Sequence, residues 1–522
     1  MKLTLIRISE MVHGSSGALT TPPVGVAYLA GYLIRHGHDV RVIDGVGEGI
    51  NDYAPVFDEA LGLFLHGLAL SEIVDRIEVN HSGLIGVSCM FSQDWPIAKR
   101  LISQIRARFP EATIVCGGEH VSALPEHALR DSGEINYCVR REGEATLLEL
   151  VDWLESAHHG SRTVPDEVLG LSFLDINGRY RDTGSRPRIS DLDSIPYPAW
   201  DRVPIERYLS SGSGFGVNKG RNMPIVASRG CPYECTFCSN VDMWTRRWDA
   251  RDPIQVVDEM AHFIRKYQAT NFDFYDLTMV VRKDWILAFC AELERRQLNI
   301  TFQLPSGTRS EAIDEEVASA LKRTGCCHIV YAPESGSERT LKRVRKQIKL
   351  PRLVESMRSA VRAGTFVKAN IVLGFPGDTH GDIFLTYLFL IRMAWIGVHD
   401  VFVYTFTPYP GTSLFRQLRQ RGRIGELDEE YFLSLAHYIK LKETLSYTDH
   451  VTSRTLGTYR FCGLMLFYLL SFLFYPRRLF RMIWNFAHGR ADTRIEQSIK
   501  ALLKPSTTNT HGFILARRVK SV

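Results

Sequence analysis

Short β-rich runs alternate with helical patterns along the first 150 residues. The strand-like runs lie at 3–6, 39–44, 84–88 and 113–116. Helical periodicity separates them at about 25–36, closed by Gly37, and at about 95–108. Strand–helix alternation at this spacing predicts an α/β fold in which helices cover both faces of a doubly wound parallel sheet.

The carboxyl ends of such strands are where ligands bind in this type of sheet. They carry Asp44, Ser88 and the sequence from Cys116 to His120, which includes Gly117, Gly118 and Glu119. The paired glycines would let a bulky ligand approach the backbone, or would only form a tight turn, and the pattern leaves both open. The dinucleotide pattern G-x-G-x-x-G follows none of these strands, so this Rossmann-like domain is not expected to bind a dinucleotide.

The composition indicates a globular protein but does not identify a binding partner. The 522 residues have 45% hydrophobic content and a formal charge of +5, which is ordinary for a globular protein and gives nucleic-acid binding little support. Ten cysteines are too few for a disulfide scaffold. Five that stand alone in the sequence are expected to be small buried hydrophobes: Cys89, Cys116, Cys138, Cys290 and Cys462. The N-terminus lacks the apolar stretch of a signal peptide, so a reducing cytoplasm is the expected compartment.

The segment from Cys231 to Cys238 carries the strongest chemical signal. Cys231, Cys235 and Cys238 follow the spacing C-x3-C-x2-C, which can place three thiolates around one compact cluster. Zinc would require a fourth Cys or His nearby, and the nearest downstream histidine, His262, reads as a helix residue. Three ligands suit a [4Fe–4S] cluster whose fourth iron is open.

This loop resembles the signature of the radical S-adenosylmethionine (SAM) superfamily, with Phe237 at its aromatic position. Three later segments resemble the family's strand-end motifs: 271–276, 331–336 and 371–377. The resemblance implies SAM contacts by these residues: Phe237, Asp276, Glu334, Ser335 and Gly374. A further segment, 407–412, resembles the sixth strand ending. β-rich runs of this kind recur roughly every 30–60 residues, each followed by a helical segment, as in a partial (β/α)6 TIM-type barrel.

A doubly wound domain ahead of such a barrel is similar to the cobalamin-binding branch of this superfamily. The segments 22–30, 115–118 and 141–145 match that branch, whose members usually lack the D-x-H-x-x-G motif that is also absent here. The resemblance implies cobalamin contacts by Asp44, Ser88, Gly117, Gly118 and Glu119.

Four regions follow from these patterns. They are a cobalamin-binding domain (1–150), a linker with a hairpin at Asn177-Gly178 (151–221), the radical SAM partial barrel (222–440) and a helical C-terminal region (441–522).

The resemblance implies an enzyme that cleaves SAM reductively to a 5′-deoxyadenosyl radical and methylates an unactivated carbon of a small-molecule or lipid-like substrate. A flavodoxin or ferredoxin-type protein would supply the electron. The alternative is cyclisation or rearrangement, as in the anaerobic Mg-protoporphyrin monomethyl ester cyclase, whose layout is similar. A simple iron–sulfur carrier would need a fourth ligand, and an RNA methylthiotransferase would usually carry a second cysteine triad.

Two further segments leave alternatives open. A basic run from Arg339 to Lys349 is expected to form a solvated helix face, or else to bind an acidic substrate. The apolar run from Phe461 to Tyr475 is flanked by arginines, with Trp484 beyond it, and is shorter than a bilayer span. It reads as a core helix, or as a peripheral membrane or lipid contact through 461–484.

Overall fold

The structure is a computed structural model of the whole chain. It describes residues 1–13, 20–56, 62–79, 83–157, 165–309, 312–438, 444–488 and 496. Two α/β units account for most of these residues, and a pair of long helices follows the second unit.

The first unit is built on a seven-stranded sheet with the order β10-β9-β8-β7-β6-β1-β3, counted within the described residues. A small antiparallel sheet, β2-β5-β4, accompanies it. The strands are β1 Lys2–Arg7, β2 Glu10–His13, β3 Asp39–Asp44, β4 Tyr53–Pro55, β5 Leu63–His66, β6 Leu84–Ser88, β7 Thr113–Gly117, β8 Tyr137–Val139, β9 Leu171–Leu174 and β10 Tyr180–Asp182. The helices are α1 Val24–Arg35, α2 Gly45–Glu48, α3 Leu70–Asp75, α4 Trp95–Arg108, α5 Glu119–Ala123, α6 Pro125–Ser132 and α7 Glu144–Ala157.

Strands β1, β3, β6, β7 and β8 run parallel, and their apolar side chains are buried on both faces of the sheet. Continuous Val, Ile and Leu runs are typical of parallel strands covered by helices on both sides. The strand order changes direction between β1 and β6, so the ligand crevice of this kind of sheet lies at their carboxyl ends.

The hairpin predicted at Asn177-Gly178 is present as β9 and β10. It continues the first sheet, because β9 pairs antiparallel with β8. Gly178 has a φ of 71°, the left-handed backbone that this turn requires. The helix α8 Ile205–Ser211 then leads into the second unit.

The second unit is a six-stranded parallel sheet in the order β11-β14-β15-β16-β17-β18. Its strands are β11 Asn222–Ile225, β14 Asn271–Phe274, β15 Thr301–Thr308, β16 Cys326–Glu334, β17 Phe366–Leu373 and β18 Asp400–Thr405, while the short strands β12 Ser228–Arg229 and β13 Asp249–Ala250 pair with each other. Its helices are α9 Asn240–Trp244, α10 Pro253–Tyr267, α11 Lys283–Arg296, α12 Glu315–Arg323, α13 Glu338–Arg343, α14 Leu350–Arg362, α15 His380–Trp395, α16 Ser413–Gln420 and α17 Glu429–Ser434. Strands joined by helices in this order form a partial TIM-type barrel, as predicted.

The C-terminal helix α18 Ser453–Phe474 packs on the last strand of this barrel, and helix α19 Pro476–Ala487 packs on α18. Nε of Arg460 donates to the carbonyl of Val403 at 2.8 Å, and the Tyr468 hydroxyl donates to the Asp400 carboxylate. An edge strand exposes unpaired backbone groups, and these side chains bond to that edge. The helix therefore closes the open side of the barrel.

Candidate active site

The three cysteines of the predicted cluster lie on one loop between β12 and α9, and all are half-buried free thiols. The loop is fastened on both sides at Thr236. Its amide donates to the Val344 carbonyl at 3.0 Å, and its carbonyl accepts from the Leu414 amide at 2.9 Å. The ring of Phe237 packs against Phe375 with centroids 5.2 Å apart. The backbone that carries the thiols is thus held in place by the barrel.

The cysteine thiols lie in a partly buried site, where forming a thiolate is unfavourable unless a cation lies nearby. Burial raises the pKa of Cys235, and it raises the pKa of Cys238 to about 12. Lys346 and Arg309 act against this rise at Cys235 because both are cations close to it. Iron binding would displace the thiol protons, so assembly of a cluster here would be linked to pH.

A buried ion pair lies directly beside the cysteine loop. Nζ of Lys346 donates to the Glu334 carboxylate at 2.9 Å, and each side chain is only 9% exposed. Burial opposes the charge on Lys346, but Glu334 and Cys235 together outweigh burial, so the pKa of the lysine is raised. Glu334 ends β16 with a φ of 64°, a strained backbone for a residue other than glycine, and strain of this kind clusters at functional sites.

The basic run is therefore not one solvated helix face as predicted. Helix α13 ends at Arg343, and Lys346 turns back into the barrel. Arg339 and Arg343 pair with Asp382 and Asp378. The prediction failed because helical periodicity cannot show that a chain leaves the helix one turn early.

Three other predicted SAM residues are held by the scaffold, two by hydrogen bonds and one by close packing. The Asp276 carboxylate accepts from the Ser228 hydroxyl at 2.5 Å and from the Ala227 amide at 3.1 Å, and burial raises its pKa to about 6. Ser335 shares a 3.1 Å hydrogen bond with Thr386 of α15. Gly374 has a φ of 82°, and a Cβ there would lie 2.5 Å from Leu456 of α18. The structure places these residues around the loop, and their SAM contacts remain predictions.

The predicted cobalamin edge lies at the carboxyl ends of β3, β6 and β7. Asp44, at the end of β3, is fully buried, and its carboxylate accepts from the Tyr208 hydroxyl at 2.7 Å and from the Gly47 amide at 3.0 Å. Asp44 is therefore bonded into a buried network, whereas Ser88 at the end of β6 is half-buried.

The two glycines after β7 have different surroundings. Gly118 has a φ of 109°, and a Cβ there would lie 2.3 Å from the Cys89 carbonyl oxygen. A Cβ at Gly117 would meet nothing closer than 3.7 Å. The turn requires Gly118 for its shape, while Gly117 leaves an open backbone surface. Beside them Met90 and Phe91 are about half exposed, at 47% and 50%, although no sequence motif marks either residue.

The sheet edge and the cysteine loop touch each other. Glu119, just after the paired glycines, accepts a hydrogen bond from Ser239, the residue that follows Cys238. Nearby, a Cβ at Gly411 would lie 2.9 Å from Cβ of Ala123, which ends α5. Burial raises the pKa of Glu119, and its hydrogen bond to Ser239 opposes that rise. The two predicted cofactor sites therefore share a direct contact.

A second contact between the units involves the segment 141–145. Arg229, two residues before Cys231, donates to Glu142 at 3.0 Å and to Glu144 at 2.6 Å, and all three side chains are buried. The guanidinium also lies 5.4 Å from the ring centroid of Tyr28 on α1. The segment 141–145, which matched the cobalamin branch, thus joins the first domain to the barrel through buried ion pairs with Arg229. We call this contact the Arg229 clamp.

The residues present suit the predicted cofactors. In the described part of the chain, no three His, Cys, Asp or Glu side chains are grouped closely enough to hold a single metal ion. The ligands of a four-iron cluster bind different irons, so they stand further apart than the ligands of one ion. Three half-buried thiols on a short loop beside two cations match such a cluster in donor type and in charge. Open glycine backbone next to exposed apolar side chains matches a large flat ring.

Comparison with protein families agrees with both sites. The B12 binding domain family matches residues 12–151, and the Radical SAM superfamily matches residues 225–390. Together the two matches cover more than half of the chain. The chain belongs to the cobalamin-binding radical SAM proteins. The cofactors of this class are a [4Fe–4S] cluster, SAM and cobalamin.

Relatives extend the match beyond the two domains. An uncharacterized methyltransferase of Pyrococcus horikoshii is 28% identical over 93% of this chain and 94% of its own length. The anaerobic magnesium-protoporphyrin IX monomethyl ester cyclase of Cereibacter sphaeroides is 26% identical over 83% of this chain and 66% of its own length.

A solved structure matches the fold. The radical S-adenosylmethionine methyltransferase TsrM from Kitasatospora setae, with cobalamin and a [4Fe–4S] cluster bound, superposes with a TM-score of 0.60 at 16% identity. The match covers 80% of this chain and 78% of that chain. The predicted fold, a doubly wound sheet followed by a partial barrel and a helical C-terminal region, is confirmed.

The prediction for the isolated cysteines is right for four and wrong for one. Cys89, Cys116, Cys138 and Cys290 are buried, whereas Cys462 is exposed. Cys462 lies in the apolar run of α18, whose outer side faces away from the barrel. Local hydropathy cannot distinguish the two sides of such a helix.

Proposed function

We propose that this protein is a cobalamin-dependent radical SAM methyltransferase that methylates an unactivated carbon of a small-molecule or lipid-like substrate. The observation that carries this proposal is the contact between Glu119, at the predicted cobalamin edge, and Ser239, beside the last cluster cysteine. Methyl transfer requires both cofactors to reach one substrate carbon, and adjoining sites meet that requirement.

Together the bound cofactors would supply reductive cleavage of SAM and a transferable methyl group. The chain itself would bind and orient them. Cys231, Cys235 and Cys238 would hold the cluster, and Lys346 would fix the Glu334 carboxylate where the family resemblance expects a polar group of SAM. The Arg229 clamp would keep the sheet edge at a constant distance from the loop.

The substrate would occupy the barrel interior. Alternation along β17 and β18 points Lys368, Asn370, Phe402 and Tyr404 inward, because Val401 and Val403 between them are buried on the helix side. The rings of Phe402 and Tyr404 stack with centroids 5.5 Å apart, and Nζ of Lys368 lies 4.1 Å from the Phe402 centroid. An aromatic wall with one cation suits a largely apolar substrate that carries a polar or anionic group.

Cyclisation or rearrangement without methyl transfer is the second candidate, since the cyclase is also a relative. The methyltransferase relative favours the first candidate because its match extends along nearly the whole of both chains, whereas about a third of the cyclase has no counterpart here.

The deciding experiment measures how SAM is consumed. The full chain, reconstituted anaerobically with iron, sulfide and cobalamin, is reduced and incubated with SAM and a cell extract that supplies candidate substrates. Methyl transfer predicts both S-adenosylhomocysteine and 5′-deoxyadenosine, since one SAM donates a methyl group and another is cleaved. 5′-Deoxyadenosine without S-adenosylhomocysteine would contradict methyl transfer and support the cyclase-type reaction.

The electron donor and the cellular compartment of the enzyme are part of the same proposal. A flavodoxin or ferredoxin-type protein would provide the electron for the cluster, and the reducing cytoplasm would keep the cysteine ligands free of disulfides. In the described part of the chain one helix, Ser453–Phe474, is long and apolar enough to cross a membrane, and a third of its apolar window is buried inside the protein.

A further inference from the structure

Three helices on the outside of the barrel expose large apolar side chains. Helices α15, α18 and α19 each carry four of them, which is twelve of the nineteen such residues exposed in the described chain. On α18 they are Phe461, Met465, Leu469 and Leu473, one every four residues, and therefore a single stripe along the helix. Leu469 and Leu473 are 68% and 70% exposed. Scattered apolar residues are ordinary, but a continuous stripe of this kind marks an interaction surface.

The stripes on α15 and α18 lie side by side. His380 and Tyr459 meet near the starts of the two helices, and Trp395 and Phe474 meet at their ends with ring centroids 5.1 Å apart. The helices therefore run parallel, and both turn their outer sides to solvent. At 22 residues α18 is about 33 Å long, so the surface is far larger than an isolated apolar spot.

Helix α19 continues this surface with Phe480 and Ile483, which are 69% and 55% exposed. We call the exposed sides of α15, α18 and α19 the outer apolar face.

The charges on α18 and α19 have one sign. Residues 451–488, which include α18 and α19, contain five arginines, no lysine and no acidic residue. Arg454 and Arg477 are exposed at the starts of the two helices, and Arg392 is exposed beside the stripe on α15. Apolar side chains together with arginines are the composition of helices that lie on anionic lipid surfaces.

Helix α18 cannot span a bilayer in this fold. The opposite side of α18 is packed on the barrel through Leu456, Arg460, Phe467 and Tyr468, all of which are buried. A spanning helix would need to expose its whole circumference to lipid. An in-plane orientation requires only the outer side, which is the side that is exposed.

We propose that the outer apolar face binds the surface of an anionic lipid bilayer, with its helices lying in the plane of the interface. Because α18 also bonds to the last barrel strand through Arg460 and Tyr468, the bound bilayer would lie against the wall of the substrate chamber. This adds a partner to the proposed function. It depends on that function only for the route by which an apolar substrate would arrive.

The test is co-sedimentation of the full, reconstituted chain with vesicles, without SAM or reductant, so that its outcome is independent of catalysis. The wild type is expected to bind vesicles containing phosphatidylglycerol and to bind pure phosphatidylcholine vesicles at least tenfold more weakly. Binding should also weaken as salt is raised. The double variant L469E/L473E should lose at least tenfold in vesicle partitioning. The control is I176E, which places a single glutamate at a fully exposed isoleucine on the β9–β10 turn and should bind as the wild type does.

Both substituted leucines project into solvent, so the double variant should fold, and an unchanged melting temperature checks this. The proposal is overturned if the wild type does not bind anionic vesicles, or if L469E/L473E and I176E bind equally well. It is also overturned if the wild type is a dimer that L469E/L473E dissociates and neither form binds vesicles. The outer apolar face would then belong to a contact between two copies of the chain.

Discussion

The barrel edge and the sheet edge, which meet at Ser239 and Glu119, present different chemical groups. On the barrel side, half-buried thiols lie beside Lys346 and Arg309, and Glu334 is buried against the lysine. On the sheet side, Gly117 and Gly118 adjoin the exposed Met90 and Phe91. The barrel edge is organised by compensated buried charge, and the sheet edge by open backbone and apolar surface. The first arrangement suits small charged groups, and the second suits a large ring held mainly by shape.

Loss of a cluster thiol should produce the largest effect. C235A removes one of three iron ligands, so SAM cleavage should fall by more than roughly 100-fold, beyond the loss typical of a residue that only supports a ligand. The measurement is 5′-deoxyadenosine formed by the reduced, reconstituted enzyme. C462A removes an exposed thiol on α18 and should cleave SAM at the wild-type rate. Retained cleavage in C235A would refute the assignment of the cluster.

Two variants that remove a buried cation test what each buried ion pair does. Both should lower the free energy of unfolding by a similar amount. K346M leaves Glu334 buried without its partner, and R229M does the same to Glu144, while Glu142 keeps its ion pair with Arg188. Each should lower the free energy of unfolding by roughly 3–5 kcal/mol, read from thermal or denaturant melts. Only K346M should weaken SAM binding, by about tenfold in anaerobic calorimetry, because only Lys346 holds Glu334, a predicted SAM residue.

The double variant K346M/E334M separates stability from function. Replacing both charges with apolar side chains should restore most of the stability, because no buried charge is left unpaired. SAM affinity should remain low. Equal SAM affinity in K346M and R229M would show that the Lys346–Glu334 pair supports only the fold.

The smallest effects should separate the two glycines of the sheet edge. G118A forces a side chain into left-handed backbone and against the Cys89 carbonyl, which should cost roughly 2 kcal/mol of stability. G117A meets no close contact, so its stability should change by less than about 0.5 kcal/mol. Cobalamin affinity in G117A should nevertheless fall about tenfold, equivalent to about 1.4 kcal/mol, if a ring lies on this backbone. Unchanged cobalamin binding in G117A would remove Gly117 from the site.

The sequence could predict the parts of the molecule that depend on local order. The spacing of Cys231, Cys235 and Cys238 and the strand ends behind it follow from neighbouring residues, and β3, α4 and the Asn177-Gly178 hairpin lie where periodicity places them. The remaining features depend on contacts across the fold. Lys346 reads as part of a charged run, and its burial comes from Glu334 at the end of another strand. Glu142 and Glu144 read as a family motif, and only the docked barrel reveals Arg229 as their partner.

The apolar C-terminal run that forms α18 also could not be assigned from the sequence alone. Its hydropathy left a core helix and a surface helix as alternatives, and α18 has properties of both. One side carries Arg460 and Tyr468 to the barrel edge, and the other side exposes Leu469 and Leu473. A pattern read along the chain cannot show which side a barrel strand will cover.

The central claim is that one chain holds an iron–sulfur cluster and cobalamin at adjoining edges. The most direct test is the amount of iron and cobalt per polypeptide after anaerobic reconstitution with cobalamin and gel filtration. The account predicts about four irons and one cobalt per chain. It also predicts that C235A loses iron but keeps cobalt, and that G117A keeps iron but retains less cobalt than the wild type. Iron without cobalt in the wild-type protein would contradict the cobalamin site, and cobalt without iron would contradict the cluster.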